Sequence, residues 1–252
     1  MTYNIRLDSE KDGVNAWPNR KGKVFELIRK YDPDILGVQE ALHHQLQDLI
    51  ANLKDYSYVG VGRDDGKEAG EYSAILIRKD RFDIKEKGTF WLSETPEVPG
   101  SKSWDAAITR VASWAKLIDT NLHKEFLIAN THFDHIGKEA RKNSAQLIKD
   151  KIGIIGKNLP TILTGDFNCT RKDPPYEVLM KPGGLKLIDP APSPPPGTFC
   201  SFEVGSIECN PIDYIFFTPA WSASNYTVIK DNDGKYYPSD HLPVFAELHL
   251  VD

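Results

Sequence analysis

Short apolar runs recur along the chain and are separated by turn residues. Runs that alternate apolar and polar positions, or that are continuously apolar over a few residues, predict about ten β-strands. They are "TYNIRL", "ILGVQ", "YSYVGV", "SAILIR", "SWAKLID", "FLIANTHF", "TILTGDF", "IDYIFFT", "YTVIK" and "PVFAELHLV".

Three segments instead repeat their apolar positions at helical spacing. Residues 20–31, 43–53 and 137–157 each place such residues on one face and therefore predict amphipathic helices. Many strands with few helices favour two sheets packed face to face with the helices outside. The expected fold is thus an α/β sandwich.

Length and composition limit the organisation further. With 252 residues, 40% of them hydrophobic, we expect a single domain over residues 1–252. The stiff segment "DPAPSPPPGTF" is expected to be a surface connection within that domain. No apolar run is long enough for a membrane span, so the sequence indicates a soluble chain. "MTYNIRL" already alternates like a strand, and a leader removed from the natural product stays open, so both cytoplasmic and exported locations remain.

Charge and cysteine content exclude some classes of protein. The net charge of −5 without a long basic run argues against strong nonspecific binding to duplex DNA, although a locally basic cleft remains open. Three cysteines cannot form a disulfide framework. Cys200 and Cys209 flank "SFEVGSIE", where a hairpin bridge and free thiols are both open, and Cys169 is expected to be a small packed residue.

Side chains that can bind a metal ion or exchange protons recur where the predicted strands begin or end. They are Asn4, Glu40, His132, Asp166, Asn168, Asp213, Asp240 and His241. A single polar residue at a strand end is usually a cap or turn former, but a series of them predicts a cluster if these ends meet at one rim. Carboxylates with amides and little sulfur favour Mg²⁺ or Mn²⁺ over structural zinc. Such an ion acts on phosphoryl groups, and imidazoles beside it exchange protons near neutral pH.

The motifs "TYN", "QE", "NTHFDH", "GDFN", "IDYIF" and "SDH" occur in this order between Asn4 and His241. In this, the chain resembles the endonuclease/exonuclease/phosphatase superfamily over nearly its whole length. The pattern is most similar to its deadenylase and nocturnin side, or to a bacterial branch near it. The resemblance implies a four-layer α/β/β/α sandwich of two mixed sheets with one active site at their rim.

The resemblance also implies roles for individual residues. Glu40 would be the main metal ligand, helped by Asp240, and Asn4 would hold metal or phosphate. Asp166 would orient or deprotonate the attacking water, and Asn168 would hold the phosphate and that aspartate. His241 would contact the scissile phosphate and share protons with Asp213, while His132 would donate to a phosphate oxygen or the leaving group.

Several residues keep alternative interpretations. Arg110 stands where relatives that use an arginine against the phosphate carry one, but a structural ion pair is an equal alternative; Arg141 has the same ambiguity. Asp213 could instead cap a turn, and Asn4 could be a hydrogen-bonded strand-end amide. Trp91, Trp104, Trp114, Tyr236, Tyr237 and Phe133 could offer stacking faces to a substrate, while packing roles are expected for the tryptophans.

Three functions therefore compete. The first is a metal-dependent phosphodiesterase or nuclease resembling the RNA exonucleases, with single-stranded RNA or a nucleotide as the expected substrate. The second is a phosphatase or phospholipase C-type esterase acting on an inositol phosphate, sphingomyelin or another small phosphoester. The third is an inactive binding module on the same fold, which the full set of site residues disfavours. The sequence indicates no protein partner.

Overall fold

The computed structural model describes residues 1–205 and 209–251. Within them lie eleven strands and four α-helices, besides a 3₁₀ helix at Glu10–Asn15. The strands are β1 (Thr2–Asn4), β2 (Ile35–Ala41), β3 (Tyr56–Val59), β4 (Tyr72–Arg78), β5 (Phe82–Trp91), β6 (Val111–Asp119), β7 (Lys124–His132), β8 (Thr161–Asp166), β9 (Asp213–Phe217), β10 (Trp221–Val228) and β11 (Val244–Leu250). The helices are α1 (Trp17–Tyr31), α2 (His43–Asn52), α3 (Lys138–Ile155) and α4 (Pro174–Met180).

The strands form two mixed sheets. One has the order β10-β11-β1-β2-β4-β3, and the other has the order β5-β6-β7-β8-β9. Each contains one parallel pair, β1 with β2 and β7 with β8, while the remaining pairs are antiparallel. The predicted α/β/β/α sandwich is confirmed.

Three apolar clusters separate the four layers. One lies between the two sheets, a second beneath α1 and α2, and a third beneath α3 and α4. Because successive strand residues point to opposite faces, a continuously apolar strand serves two clusters. On β7, Ile128 faces the other sheet while Leu127 faces α3.

The structure adds elements that the sequence pattern did not predict. β5 is the edge strand of its sheet and carries exposed charged residues, which hid its alternation. α4 starts with two prolines, which are tolerated in the first turn of a helix. The proline-rich connection runs irregularly along the surface, as expected.

The two alternatives for Cys200 and Cys209 are resolved in favour of a disulfide. Residues 206–208, in the predicted tip of that hairpin, lie outside the described residues. Cys169 is buried and unbridged, as predicted. In the described part of the chain, no helix combines the length and the apolar character needed to cross a membrane.

The parallel pairs decide where the site forms. Asn4 pairs with Gln39 beside Glu40, and His132 pairs with Asp166, so the carboxyl ends of β1, β2, β7 and β8 share one rim of the sandwich.

Candidate active site

Glu40 reaches the rim through an irregularity in its strand. The register of β2 against β4 shifts between Val38 and Ala41, and Glu40 adopts a φ of 63°. Such a bulge re-aims a side chain, at a backbone cost of about 1–3 kcal/mol. Its Oε1 accepts a hydrogen bond from Asn4 Nδ2 (3.1 Å) and its Oε2 accepts one from the Leu7 backbone N–H (3.1 Å). Burial opposes ionisation of Glu40, but the His241 charge and these bonds outweigh it, so its pKa lies below its usual value.

Asp166 stands at the end of β8, directly after a glycine. A Cβ on Gly165 would lie 2.4 Å from the Thr131 carbonyl oxygen on β7, so only glycine lets the two strands pair here. The Asp166 carboxylate accepts hydrogen bonds from Asn4 Nδ2 (3.0 Å) and the Asn168 backbone N–H (2.9 Å). Burial, and then repulsion from Asp213, raises the pKa of Asp166 to about 7.

Asn168 holds His132 in one orientation. Its φ of 46° lies in the left-handed region, which asparagine tolerates. Its Nδ2 donates to the Phe133 carbonyl (3.0 Å) and lies 3.1 Å from His132 Nε2. Because an amide N–H donates there, His132 Nε2 acts as acceptor and the ring proton is assigned to Nδ1. Burial, followed by the charges of Arg110 and Arg63, holds the pKa of His132 well below its usual value.

His241 has the opposite electrostatic environment. Its Nδ1 lies 2.9 Å from Asp213 Oδ2. Burial disfavours the charged imidazole, but the Asp213 and Asp166 carboxylates outweigh it and raise the pKa of His241 well above its usual value. Asp213 therefore does not cap a turn with its side chain.

The two imidazoles flank one carboxylate. Asp166 Oδ2 lies 3.4 Å from His132 Nε2 and 3.7 Å from His241 Nε2. The pKa shifts favour the neutral form of His132 and the protonated form of His241. Two histidines whose pKa values are shifted in opposite directions, on either side of an aspartate, are typical of acid–base sites.

Asp240 lies on the Glu40 side of this group. Arg6 stands between the two, with its Nε 3.8 Å from Asp240 Oδ2 and its Nη1 3.9 Å from Glu40 Oε2. Arg6 also forms a bidentate ion pair with Asp12. Its single charge is therefore shared among three carboxylates.

Among the residues that the structure describes, Arg110 has no ion-pair partner, so its alternative interpretation as a structural ion pair is not supported. It is 5% exposed, and its Nη2 lies 3.2 Å from His135 Nδ1. Its Nε and Nη1 have no hydrogen-bond partner among the described residues. Burial, and then the neighbouring Arg63, lowers the pKa of Arg110.

A recess beside His132 collects further donors. It is lined by Arg63, Glu71 and Arg110, among others, and is closed to water in this conformation. In the described structure, Arg63 Nε and His132 Nδ1 also lack hydrogen-bond partners, although Arg63 Nε lies 3.8 Å from Asp64 Oδ1 and Arg63 Nη1 forms an ion pair with Glu71 (2.7 Å). Arg63 and Glu71 were not among the residues predicted from the sequence. They lie in the glycine-rich segment "GRDDGKEAGE" and reach the site only through the fold.

Some proposed substrate contacts are absent. Phe133 is fully buried against Phe167, with ring centroids 5.0 Å apart, so it offers no stacking face. Trp91 is buried and donates its Nε1 hydrogen to the Arg63 carbonyl, which is a packing role. Arg141 donates to the Asp134 carbonyl (2.9 Å).

The chain matches known proteins over most of its length. The model of the Endonuclease/Exonuclease/phosphatase family matches residues 1–241. A solved endonuclease/exonuclease/phosphatase from Bacteroides vulgatus is 39% identical, with a TM-score of 0.91, covering 99% of this chain and 97% of that one. A mannosyl-6-phosphatase of Bacteroides thetaiotaomicron VPI-5482 is 40% identical, with a TM-score of 0.90, covering 99% of this chain and 98% of that one.

More distant curated relatives are longer. Nocturnin of Mus musculus is 26% identical over 92% of this chain but only 58% of its own length. The chain spans 30% and 62% of two uncharacterised proteins of Acanthamoeba polyphaga mimivirus. With a family model that covers almost the whole chain and a fold shared at 39–40% identity, this protein belongs to the endonuclease/exonuclease/phosphatase family.

Proposed function

We propose that this chain is a divalent-metal-dependent hydrolase that cleaves a phosphate monoester of a carbohydrate by in-line attack of water on phosphorus, releasing inorganic phosphate and the free sugar hydroxyl. The observation that carries the proposal is the placement of Asp166 between a neutral and a protonated imidazole, next to guanidinium N–H groups that have no hydrogen-bond partner among the described residues. The family as a whole consists of phosphoester hydrolases and generally uses divalent metal ions.

The Glu40 side of the site suits a hard cation. Glu40 and Asp240 supply carboxylate oxygens that share the charge of Arg6, and Asn4 adds an amide oxygen. Oxygen donors with incompletely neutralised charge match Mg²⁺ or Mn²⁺. When bound, such an ion polarises a phosphoryl oxygen and stabilises the charge that develops on it.

A second set of groups lies deeper. Asp166, Asp213 and His241 each place one potential ligand atom within 4.8 Å of the others. His241 Nδ1 is already hydrogen-bonded to Asp213, and its protonated form offers no lone pair to a metal. We therefore assign this set to proton transfer and Glu40, Asn4 and Asp240 to the metal.

The reacting water is oriented by Asp166. A carboxyl with a pKa of about 7 is suited to accept a proton near neutral pH. Asn168 keeps the carboxylate in place through its backbone N–H. His241, held by Asp213, donates to a phosphate oxygen or gives its Nε2 proton to the leaving group, and neutral His132 donates a hydrogen bond from Nδ1–H to another phosphate oxygen.

The recess favours a monoester over a diester. A monoester dianion carries more charge and one more non-bridging oxygen than a diester. Arg63, Arg110 and His132 each carry at least one nitrogen without a hydrogen-bond partner in the described part of the chain, and these nitrogens can donate to such oxygens once a guanidinium rotates to open the recess. The 40% identity to a mannosyl-6-phosphatase over nearly both chains supports a sugar phosphate.

A nuclease is the second candidate. The likeness to nocturnin over 92% of this chain favours it, and single-stranded RNA would then be the substrate. Phe199 is the aromatic side chain beside His241 that could stack on a base, with ring centroids 4.8 Å apart.

A panel of substrates separates the two candidates. Mannose 6-phosphate, p-nitrophenyl phosphate, bis-p-nitrophenyl phosphate and oligoadenylate RNA are compared with Mg²⁺, with Mn²⁺ and with EDTA. The proposal expects metal-dependent release of phosphate from the two monoesters and at least about ten-fold lower kcat/KM on the diesters. Efficient cleavage of RNA with poor monoester turnover would establish the nuclease instead.

A further inference from the structure

A short segment, in which Thr198 and Cys200 are buried and Phe199 is exposed, lies between the two stretches of chain that carry Asp213 and His241. It comprises residues 198–200 and follows the proline-rich connection. Thr198 is 1% exposed, and its Oγ1 accepts hydrogen bonds from the backbone N–H groups of Ile212 and Asp213, both at 3.1 Å. The same hydroxyl donates to the Asn210 carbonyl (3.2 Å). One side chain thus fixes the backbone at the start of β9.

The backbone of residues 198–200 also binds the stretch of chain that carries His241. Leu242 N–H donates to the Thr198 carbonyl (2.7 Å), and Cys200 N–H donates to the Asp240 carbonyl (3.0 Å). The residues on either side of His241 are therefore tied to residues 198–200. The Phe199 ring rests against the His241 imidazole.

The position of the segment is itself restrained. The Cys200–Cys209 disulfide closes it onto the strand-like stretch that leads to β9. A Cβ on Gly197 would lie 2.2 Å from Cys209 Cβ, so the chain approaches that cysteine as closely as glycine allows.

Asp213 needs an anchor of this kind. Its Oδ2 contacts His241 Nδ1, whereas its buried Oδ1 has no hydrogen-bond partner in the described structure. A single hydrogen bond does not by itself fix the orientation of the Asp213 carboxylate. The position of the carboxylate therefore depends on the backbone of Asp213, which Thr198 holds.

We propose that Thr198 is a positioning residue, which holds the backbone of Asp213 so that its carboxylate sets the orientation of His241. The inference rests on the proposed function, in which His241 contacts the phosphate. Without the hydroxyl, two buried N–H groups lose their acceptor and the start of β9 shifts. The imidazole then points away from its working direction, which slows the chemical step more than it weakens substrate binding.

Three substitutions test this. Thr198→Val removes the hydroxyl at nearly constant volume, and Thr198→Ser keeps it. Thr161→Val is the matched control, because Thr161 is equally buried at the far end of β8 and its hydroxyl donates to the Leu159 carbonyl (3.1 Å). Thr198→Ala replaces the valine variant if thermal melting shows that the latter does not fold.

The first readout is steady-state kinetics on p-nitrophenyl phosphate. Thr198→Val is expected to lower kcat at least about ten-fold with KM changed less than about two-fold, while Thr198→Ser and Thr161→Val stay near the wild type. Retained kcat in folded Thr198→Val, or an equal loss in Thr198→Ser or Thr161→Val, would overturn the proposal.

The second readout does not need activity. The downfield proton resonance of His241 Nδ1–H, assigned by its loss in His241→Ala, reports the hydrogen bond to Asp213. We expect it to broaden or move in Thr198→Val but not in Thr161→Val; an unchanged resonance would contradict the positioning role. Wild type that turns over none of the substrates would refute the proposed function alone, and this resonance would still decide the role of Thr198.

Discussion

Asn4 Nδ2 donates a hydrogen bond to Asp166 Oδ2 across 3.0 Å and thereby joins the carboxyl ends of β1 and β8, which belong to different sheets. The same amide nitrogen lies 3.1 Å from Glu40 Oε1. The candidate metal ligand and the candidate base are thus held together by one side chain.

Replacing Asn4 should affect activity more than the fold. Asn130 is the matched comparison, because this fully buried amide also links the sheets, donating to the Val38 and Ala74 carbonyls. We expect Asn4→Ala to lower kcat/KM at least about a hundred-fold because two carboxylates lose their common donor. Asn130→Ala should instead lower the free energy of unfolding by about 2–4 kcal/mol. Chemical denaturation and kinetics on both variants check this, and the reverse pattern would contradict the role of Asn4.

Arg63 and Arg110 should control the preference for monoesters. We expect Arg63→Met and Arg110→Met each to lower kcat/KM on p-nitrophenyl phosphate by at least about ten-fold more than on bis-p-nitrophenyl phosphate, because the dianion loses a charged donor. Arg29→Met, at an exposed arginine on α1, is the control and should change neither value. Equal losses on both substrates would remove the recess from substrate selection.

Asp134 should make stability depend on pH. Its buried carboxylate accepts four backbone hydrogen bonds, from residues 107, 108, 136 and 137. Burial opposes the charged form, but these bonds outweigh it and hold the pKa of Asp134 below its usual value. Its contribution is therefore complete above the unfolded pKa of about 3.9 and is lost as the pH falls towards the folded pKa.

The corresponding variant is Asp134→Asn. At pH 7 it should be less stable than the wild type by about 2 kcal/mol, and the deficit should shrink below about pH 4. Urea denaturation across that range measures it, with the exposed Asp150→Asn as control. A difference in stability that does not change with pH would show that the charge of Asp134 does not contribute to stability through these hydrogen bonds.

The disulfide should contribute measurably to stability. It closes a loop with a sequence separation of 9, for which chain entropy predicts a stabilisation of up to about 3 kcal/mol. Reductant should therefore lower the urea midpoint of the wild type but leave Cys200→Ser/Cys209→Ser unchanged. An identical midpoint for the wild type with and without reductant, after mass spectrometry has verified the bridge, would go against this.

Much of the fold and the rim cluster could be predicted from the chain. Continuous apolar strands such as "FLIANTHF" indicate sheets covered on both faces, and the strand-end motifs indicate which residues meet. β5 was not predicted, because an edge strand exposes charged side chains that hide its alternation of apolar and polar residues. Arg63 and Glu71 could not be predicted as site residues for another reason, since their approach to His132 depends on how the loop between β3 and β4 folds.

The role of Asp166 in hydrolysis can be tested by comparing phosphate release from mannose 6-phosphate by the wild type and by Asp166→Asn, with Mg²⁺ and with EDTA. The substitution is nearly isosteric, so circular dichroism and thermal melting should show a folded variant. We expect metal-dependent turnover by the wild type and a loss of at least about a thousand-fold in kcat in the variant, because the group that accepts the proton of water is gone. Full activity of folded Asp166→Asn would contradict it.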